Sequence, residues 1–453
     1  MPASVKDRRV GAKSMRVLFV SNYYPPEVNA PATRLHEHAC QWAEDGHEIE
    51  VLTSVPNFPE GEVYEGYRNR FSYERKSGID VTRVPMYVTR NEGMLKRSLS
   101  YASFMLSSIF YSRRIRSRPD VVVATSPQFF SAVGGLIISR FLKVPFVMEV
   151  RDLWPESIIA VGAARRGLII RMLERLEHYL YSQSDHIVVV TDAFKRFIEG
   201  KGIDPRKISV LKNGADLQAF AEPLDSDLLQ EWRRKLDLED KFVASYIGTI
   251  GMAHRADVML EAAQRCSDPR IVFMVVGTGA ERQKLEERAA ALNLSNFRLV
   301  DKQPKHVVRH LLALSDAAVV HLRASVLFQS VIPSKIFEAM AMRLPIVLGV
   351  EGETRDIIEE AGAGIPIRPE DAGALASAVQ SLHDDHALCE RMGRHGSEYV
   401  HERHDRKKLA RRFWQMLHSV SQTKSGVPSL KLEKLPSTNG KSNEVTHIDA
   451  EVA

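Results

Sequence analysis

The sequence predicts an α/β chain made of two doubly wound domains. Short, fully apolar runs alternate with helix-period stretches, and they do so in two series separated by the turn signal Asn213-Gly214. The length of 453 residues suits two or three domains, each with ample core. At 44% hydrophobic and 26% charged residues, the composition is that of an ordinary globular protein and excludes fibrous or wholly disordered classes.

The first series opens at 16–21 (RVLFVS), an apolar run with the length of a buried parallel strand. The loop NYYPPEVNAPATR follows, then a helix from about 32 to 45 that Gly46 ends, then a strand at 48–53. Such a βαβ start argues a doubly wound sheet, and the lack of GxGxxG after its first strand argues against a dinucleotide-dependent oxidoreductase. Asn29 and Arg34 are placed toward the cleft, and 57–67 (NFPEGEVYEGY) reads as a long aromatic loop over it. Residues 95–115 form an apolar-rich helix flanked by Lys96, Arg97, Arg113, Arg114, Arg116 and Arg118. That pattern fits an interfacial membrane helix and equally a core helix with a solvated basic end.

A strand at 121–125, a helix at 129–142 and a strand at 146–150 lead into EVRDLWPES. Charged residues directly after a buried parallel strand stand at the carboxyl edge of the sheet, where open α/β sheets bind ligands. Glu149, Arg151 and Asp152 are therefore the catalytic candidates. Asp152 is suited to orient or deprotonate a hydroxyl and Arg151 to bind phosphate. A helix at 168–182, a strand at 186–191, a helix at 192–199 and a strand at 208–211 complete this domain, and Lys212 and Asn213 border the cleft.

The second series follows a charged helix at 224–240. Its Asp225-Ser226-Asp227 reads as a helix cap, because a metal-binding DxD would follow an apolar strand. A strand at 242–248 leads to Thr249 and Arg255, and a strand at 271–277 ends in Gly277-Thr278-Gly279, a tight turn that lets backbone approach a ligand. A short strand at 297–301 precedes the Lys302-Gln303-Pro304 loop, and a strand at 317–322 ends at Arg323. In 328–350 (FQSVIPSKIFEAMAMRLPIVLGV), Pro333-Ser334 opens a helix, Leu344-Pro345 stops it and Ile346-Val347-Leu348 is a buried strand. A helix start of this kind holds phosphate through its free N–H groups, with Ser334 at the cap and Lys335 adding a cation. Glu338, one turn further on, is placed to accept hydrogen bonds from a ribose diol.

Composition narrows the partners. A net charge of +5 is too small to argue nucleic acid and permits anionic ligands or an anionic membrane face. Cys40, Cys266 and Cys389 are scattered and read as free thiols of a reducing cytosol. His36, His38 and His47 lack the spacing of a metal site. Residues 1–14 have no apolar core and are not read as a secretory signal, and no apolar run spans a membrane.

The 328–350 segment resembles the nucleotide-sugar motif of family 4 glycosyltransferases, retaining enzymes of the GT-B fold. Within them it is most similar to the bacterial branch of N-acetylfucosaminyl-type transferases of surface polysaccharide synthesis. The resemblance runs over about 15–420, supported by EVRDLWPES and the Asn-Gly junction. The family carries an E-x7-E pair; here the second member is Glu338 and Ser330 stands at the first. Arg151-Asp152 replaces the family's His-Asp pair, and Thr249 its first donor-site arginine, with Arg255 near the expected lysine.

Residues 1–14, polar and basic, read as a flexible extension and 422–453, poor in apolar periodicity, as a disordered tail. The resemblance implies an acceptor-side domain at 15–215, a donor domain at 216–400 and a helix at 401–421 that crosses back. It further implies Thr249, Arg255, Gly277, Gly279, Arg323, Ser330, Ser334, Lys335 and Glu338 as donor-binding residues, with Asn29, Arg34, Lys212 and Asn213 on the acceptor side. The donor is a UDP-sugar, with no cofactor and no metal. The acceptor is lipid-linked or a saccharide, met in the cytoplasm or at the inner, anionic face of the plasma membrane. A sugar-nucleotide-binding protein without transferase activity, or an epimerase of the same fold, remains the alternative.

Overall fold

Two sheets organise the chain. In a computed structural model describing residues 15–90, 94–126, 129–160 and 167–423, the first sheet comprises β1 (Arg16–Val20), β2 (Glu48–Ser54), β3 (Ser72–Lys76), β4 (Ile79–Val84), β5 (Val121–Thr125), β6 (Phe146–Val150), β7 (His186–Val189) and β8 (Ile208–Val210). The second comprises β9 (Phe242–Ile247), β10 (Ile271–Val276), β11 (Phe297–Val300), β12 (Ala317–His321), β13 (Ile346–Gly349) and β14 (Gly364–Pro366). Their orders are β3-β4-β2-β1-β5-β6-β7-β8 and β11-β10-β9-β12-β13-β14, parallel throughout except for the β3–β4 hairpin. The expected extension at 1–14 and nearly all of the expected tail lie outside the described residues.

Apolar runs become central parallel strands because both their faces are covered. Leu18 and Val20 of β1 point to one side with Leu52, Val122 and Phe146, under the helices Met94–Tyr111, Phe129–Leu142 and Leu168–Gln183. Val17 and Phe19 point to the other side, toward the helices Ala30–Glu44 and Arg406–Thr423. The last helix of the described chain is thus part of the first domain's core: Phe413 and Leu417 are fully buried there, and the Trp42 indole donates to the Ala410 carbonyl at 2.8 Å.

The two chain crossings are tied together. Ala215 bridges to Asp405, and the His404 ring bonds the Asn213 carbonyl at 2.9 Å. A side chain at Gly214 would stand 2.1 Å from the His404 carbonyl, so the junction needs glycine there. Three strands were absent from the sequence reading. The β3–β4 hairpin turns on Ser77 and Gly78, both at positive φ (52° and 78°), the signature of a two-residue hairpin turn. β14 is a three-residue edge strand, too short to give a periodic signal. No helix among the described residues is long and apolar enough to cross a membrane.

A cleft between the two domains

The carboxyl edges of the two sheets open into one cleft of about 630 Å³, lined from both domains and from Arg406 of the last helix. The wall from the second domain is bare backbone. Gly248, Gly277 and Gly279 take φ of 150°, 152° and 155°, a region that side chains rarely tolerate. They also pack against one another: a Cβ at Gly277 would lie 1.8 Å from the Gly248 carbonyl, and one at Gly279 would lie 2.3 Å from that of Ile250. A ligand can therefore approach peptide groups directly, as the Gly277 and Gly279 positions led one to expect.

Directly behind Gly248 lies Lys335. A Cβ on that glycine would meet the Lys335 ammonium at 2.2 Å. The ammonium donates to the Tyr246 hydroxyl at 3.0 Å and stands 4.1 Å from the centre of that ring. Tyr246 in turn donates to the Thr249 carbonyl at 2.7 Å, which fixes the loop. Burial lowers the Lys335 pKa to about 8, with Glu338 opposing that shift. His254, near Lys335 and His321, is held neutral by burial with a pKa of about 4.

Lys335 begins a helix of only seven residues, Lys335–Ala341, whose N-cap Ser334 makes no side-chain cap bond and lines the cleft. Glu338 lines the cleft as well, and its carboxylate has no hydrogen-bond partner among the described residues. Burial raises its pKa, opposed by Arg406, Lys305 and Lys335.

The first domain contributes Asn29, Arg34, Arg151 and Asn213 to the opposite wall. Asn29 caps its helix, accepting from Ala32 N–H at 2.9 Å. Arg34 binds the Glu149 carboxylate (3.0 Å), the Asn213 amide oxygen (2.6 Å) and the Leu211 carbonyl (3.4 Å). Arg151 lies deep in this wall, and burial lowers its pKa to about 10.

Several candidates stand elsewhere, each for a local reason. Glu149 is 3% exposed beneath Arg34, so it supports the wall and does not line the cleft. Asp152 turns to Ser157 and the Leu153 N–H, and its pKa is raised by burial. Lys212 pairs with Asp192 and Glu353 at 2.8 and 2.7 Å. Arg255 sits at φ 47° and pairs with Asp257 and Glu370. With Arg323 it lines a separate hollow of about 340 Å³. Ser330 closes its own turn, donating to the Leu327 carbonyl at 2.6 Å, and Leu327 and Val331 pack onto the first domain's core. Asp225 caps the helix Ser226–Lys235.

Three charged lining residues were missed. Glu37, on the helix Ala30–Glu44, pairs with Arg406 and, at 3.5 Å, with Lys305 of the second domain. Arg406 also donates to the Gly214 carbonyl at 2.7 Å. Nothing local in the sequence marks this trio, because 369 positions separate Glu37 from Arg406. With Arg34, Arg151, Lys302, Lys305 and Arg406 set against Glu37 and Glu338, the cleft favours an anionic ligand. No group of three metal-ligating side chains occurs among the described residues.

Comparison with known proteins agrees with this architecture. Residues 29–214 match the glycosyl transferase 4-like domain and residues 230–399 match glycosyl transferases group 1. The chain is 26% identical over 409 residues to the putative colanic acid biosynthesis glycosyl transferase WcaI of Escherichia coli, covering 88% of this chain and 98% of that one. It is 26% identical over 298 residues to the probable glycosyltransferase WbjE of Pseudomonas aeruginosa, covering 64% and 72%. Among solved structures, Anabaena HepE in complex with UDP and glucose superposes with a TM-score of 0.68 at 15% identity, over 89% of this chain and all of that one. WaaG, a glycosyltransferase involved in lipopolysaccharide biosynthesis, gives 0.62 at 16% identity over 89% and 99%.

Proposed function

This chain is a GT-B glycosyltransferase built of a 4-like and a group 1 domain, and on that premise we propose that it takes its sugar from a UDP-sugar. The sugar is of the N-acetylated hexosamine type, and the acceptor is lipid-linked or a polysaccharide of the cell surface. Transfer proceeds with retention of configuration and without a metal ion, in the cytoplasm. Support for the pathway comes from a relative named for colanic acid biosynthesis, and for the nucleotide from HepE, solved with UDP and with UDP-glucose.

One observation carries the reading: a glycine-walled cleft with the Lys335 ammonium behind Gly248 and the unpartnered Glu338 carboxylate one turn away. The leaving diphosphate gains charge as the sugar departs, and fixed cations and N–H donors aimed there lower the barrier. Lys335 supplies that charge from the second domain and Arg151 from the first. Glu338 accepts from the ribose hydroxyls, its acceptor sites being unused by the described residues. Asn29 lines the acceptor side, and its amide nitrogen, buried there, has no partner among the described residues.

Calorimetric titration of UDP, GDP and ADP into the protein and into Glu338→Ala tests this. UDP-selective binding that the variant loses supports the reading. An intact protein that binds none of the three overturns it. UDP binding with no sugar transfer from any UDP-N-acetylhexosamine, even with membranes added, replaces the transferase with a sugar-nucleotide-binding protein.

A further inference from the structure

An ion triad of the first domain adjoins the EVRDLWPES segment. Lys201, at the C-cap of the helix Asp192–Gly200, donates to Glu156 Oε1 at 2.9 Å and to Glu177 Oε2. Glu177, on the helix Leu168–Gln183, is fully buried, and the Tyr181 hydroxyl donates to its other oxygen at 2.7 Å. Two carboxylates thus share one cation. Burial raises the Glu177 pKa to about 7, and Glu156 adds to that shift while Lys201 and Tyr181 oppose it. Glu156 Oε2 is buried with no partner among the described residues. Such a cluster is a poor way to gain stability, since apolar residues of like volume often serve as well or better. A lysine bonded to two carboxylates does, however, fix one helix against another.

The helix that Glu156 opens needs such a fixture. Glu156–Ala160 has five residues, too few to keep its place alone. Among the described residues its one ion pair is that with Lys201. Five positions before Glu156 stands Arg151, in the cleft wall. Ser157 bonds the Asp152 carboxylate and donates its N–H to the Leu153 carbonyl at 2.8 Å, which ties the helix to that wall. The helix also touches the turn Leu327–Ser330 of the second domain, which leads within five residues to Lys335. The helix Asp192–Gly200 touches the same turn, and its first N–H groups bond Glu353 of the second domain. Lys201 therefore ties together two first-domain helices that both meet the second domain.

We propose that Lys201 is a positioning residue for sugar transfer. Through Glu156 it sets where the short helix stands, and so how Arg151 in one wall faces Lys335 in the other. Lys201 does not itself line the cleft. The proposal rests on the transferase reading, in which those two cations flank the leaving diphosphate. A wall misplaced by about 1 Å costs up to about a hundredfold in rate. UDP itself is held by Lys335, Glu338 and the glycine wall, all in the second domain. Loss of Lys201 should therefore appear in kcat and leave UDP affinity nearly unchanged.

The test reads four quantities on the full-length protein: UDP release from UDP-N-acetylhexosamines with membranes added, calorimetric UDP affinity, thermal unfolding and backbone hydrogen exchange. Lys201→Met should lower kcat about 10- to 100-fold, keep UDP affinity and speed exchange over 153–160. Lys201→Arg, which keeps the charge and the donors, should restore most of the rate. Lys201→Met also leaves Glu177 buried and uncompensated, so its stability falls as well. Adding Glu177→Met removes that charge and should recover the unfolding temperature, while kcat stays low because Glu156 still lacks its partner. Recovery of kcat together with stability in the double variant would make the triad merely structural and overturn the proposal. Unchanged exchange over 153–160 overturns it too, as does faster exchange with unchanged kcat. If the intact protein binds UDP yet transfers nothing, the transferase reading fails and the proposal with it. Exchange over 153–160 then still reports whether Lys201 holds the helix, so the two failures are told apart.

Discussion

Arg34 and Glu149 form an ion pair at 3.0 Å, with both side chains less than a tenth exposed. Arg34 also donates to Asn213 and Leu211, so one guanidinium joins the first helix, the end of β6 and the domain junction. Truncating one partner of such a pair strands a buried charge, at a cost of about 3–5 kcal/mol. Glu149→Ala should therefore lower unfolding stability by that amount in denaturant titration. Arg34→Met with Glu149→Leu should recover most of it. A Glu149→Gln variant that keeps its stability but loses all turnover would instead place this carboxylate in the chemistry.

Gly248 and Gly277 separate two kinds of crowding. Alanine at 248 meets the far end of a flexible lysine, whereas alanine at 277 meets the Gly248 carbonyl. Both carry the cost of a φ near 150°, about 1–3 kcal/mol. Gly277→Ala should thus destabilise more than Gly248→Ala, because backbone cannot swing aside. Gly248→Ala should act mainly on ligand, displacing the Lys335 ammonium and weakening UDP by at least about tenfold, the equivalent of 1.4 kcal/mol. Thermal unfolding and calorimetry on the two variants read these separately.

Strand runs such as VVVAT and IVFMVVG were legible because strands buried on both faces need apolar residues at every position. The short helix carrying Lys335 and Glu338 was legible from its proline start and apolar spacing. What a strand-end residue packs against was not. Glu149 reads as a cleft carboxylate until Arg34 arrives from 115 positions away. Arg255 had a local warning in Asp257, two residues on, which takes its guanidinium. The β3–β4 hairpin also had a signal, Ser77-Gly78 between SYERK and IDVTRV, and the exposed polar face of β3 obscured it. Arg406, Glu37 and Lys305 meet only because the last helix returns to the first domain.

Lys335 gives the site a pH dependence. Its folded pKa of about 8 lies below the ordinary 10.5, because burial disfavours the charged form. Between those values the unfolded chain binds more protons, so this group adds stability as pH rises through the window and costs stability below it. Ligand binding should run the other way. A diphosphate needs the ammonium, so UDP affinity should fall by up to about tenfold per pH unit above 8. Calorimetry in buffers of different ionisation enthalpy should show proton uptake on binding near pH 8. In Lys335→Met both effects should vanish, and a pH-dependent affinity in that variant would assign the titration to another group.

Glu353 holds the domains together at a second point. It belongs to the second domain, yet it accepts the N–H groups of Asp192 and Ala193 at 3.2 and 3.1 Å and the Lys212 ammonium at 2.7 Å. Those N–H groups open the helix Asp192–Gly200, whose free donors and dipole favour a carboxylate. The cleft is lined from both domains, so the spacing of its walls depends on contacts of this kind. Glu353→Ala removes the acceptor and leaves Lys212 with Asp192 alone. The expected outcome is a larger radius of gyration in X-ray scattering and a donor KM raised several-fold, with kcat less affected because Lys335 and Glu338 stay on one rigid domain. Glu353→Gln keeps an acceptor for the N–H groups and should fall between. Unchanged scattering and KM in the alanine variant would make the contact incidental to closure.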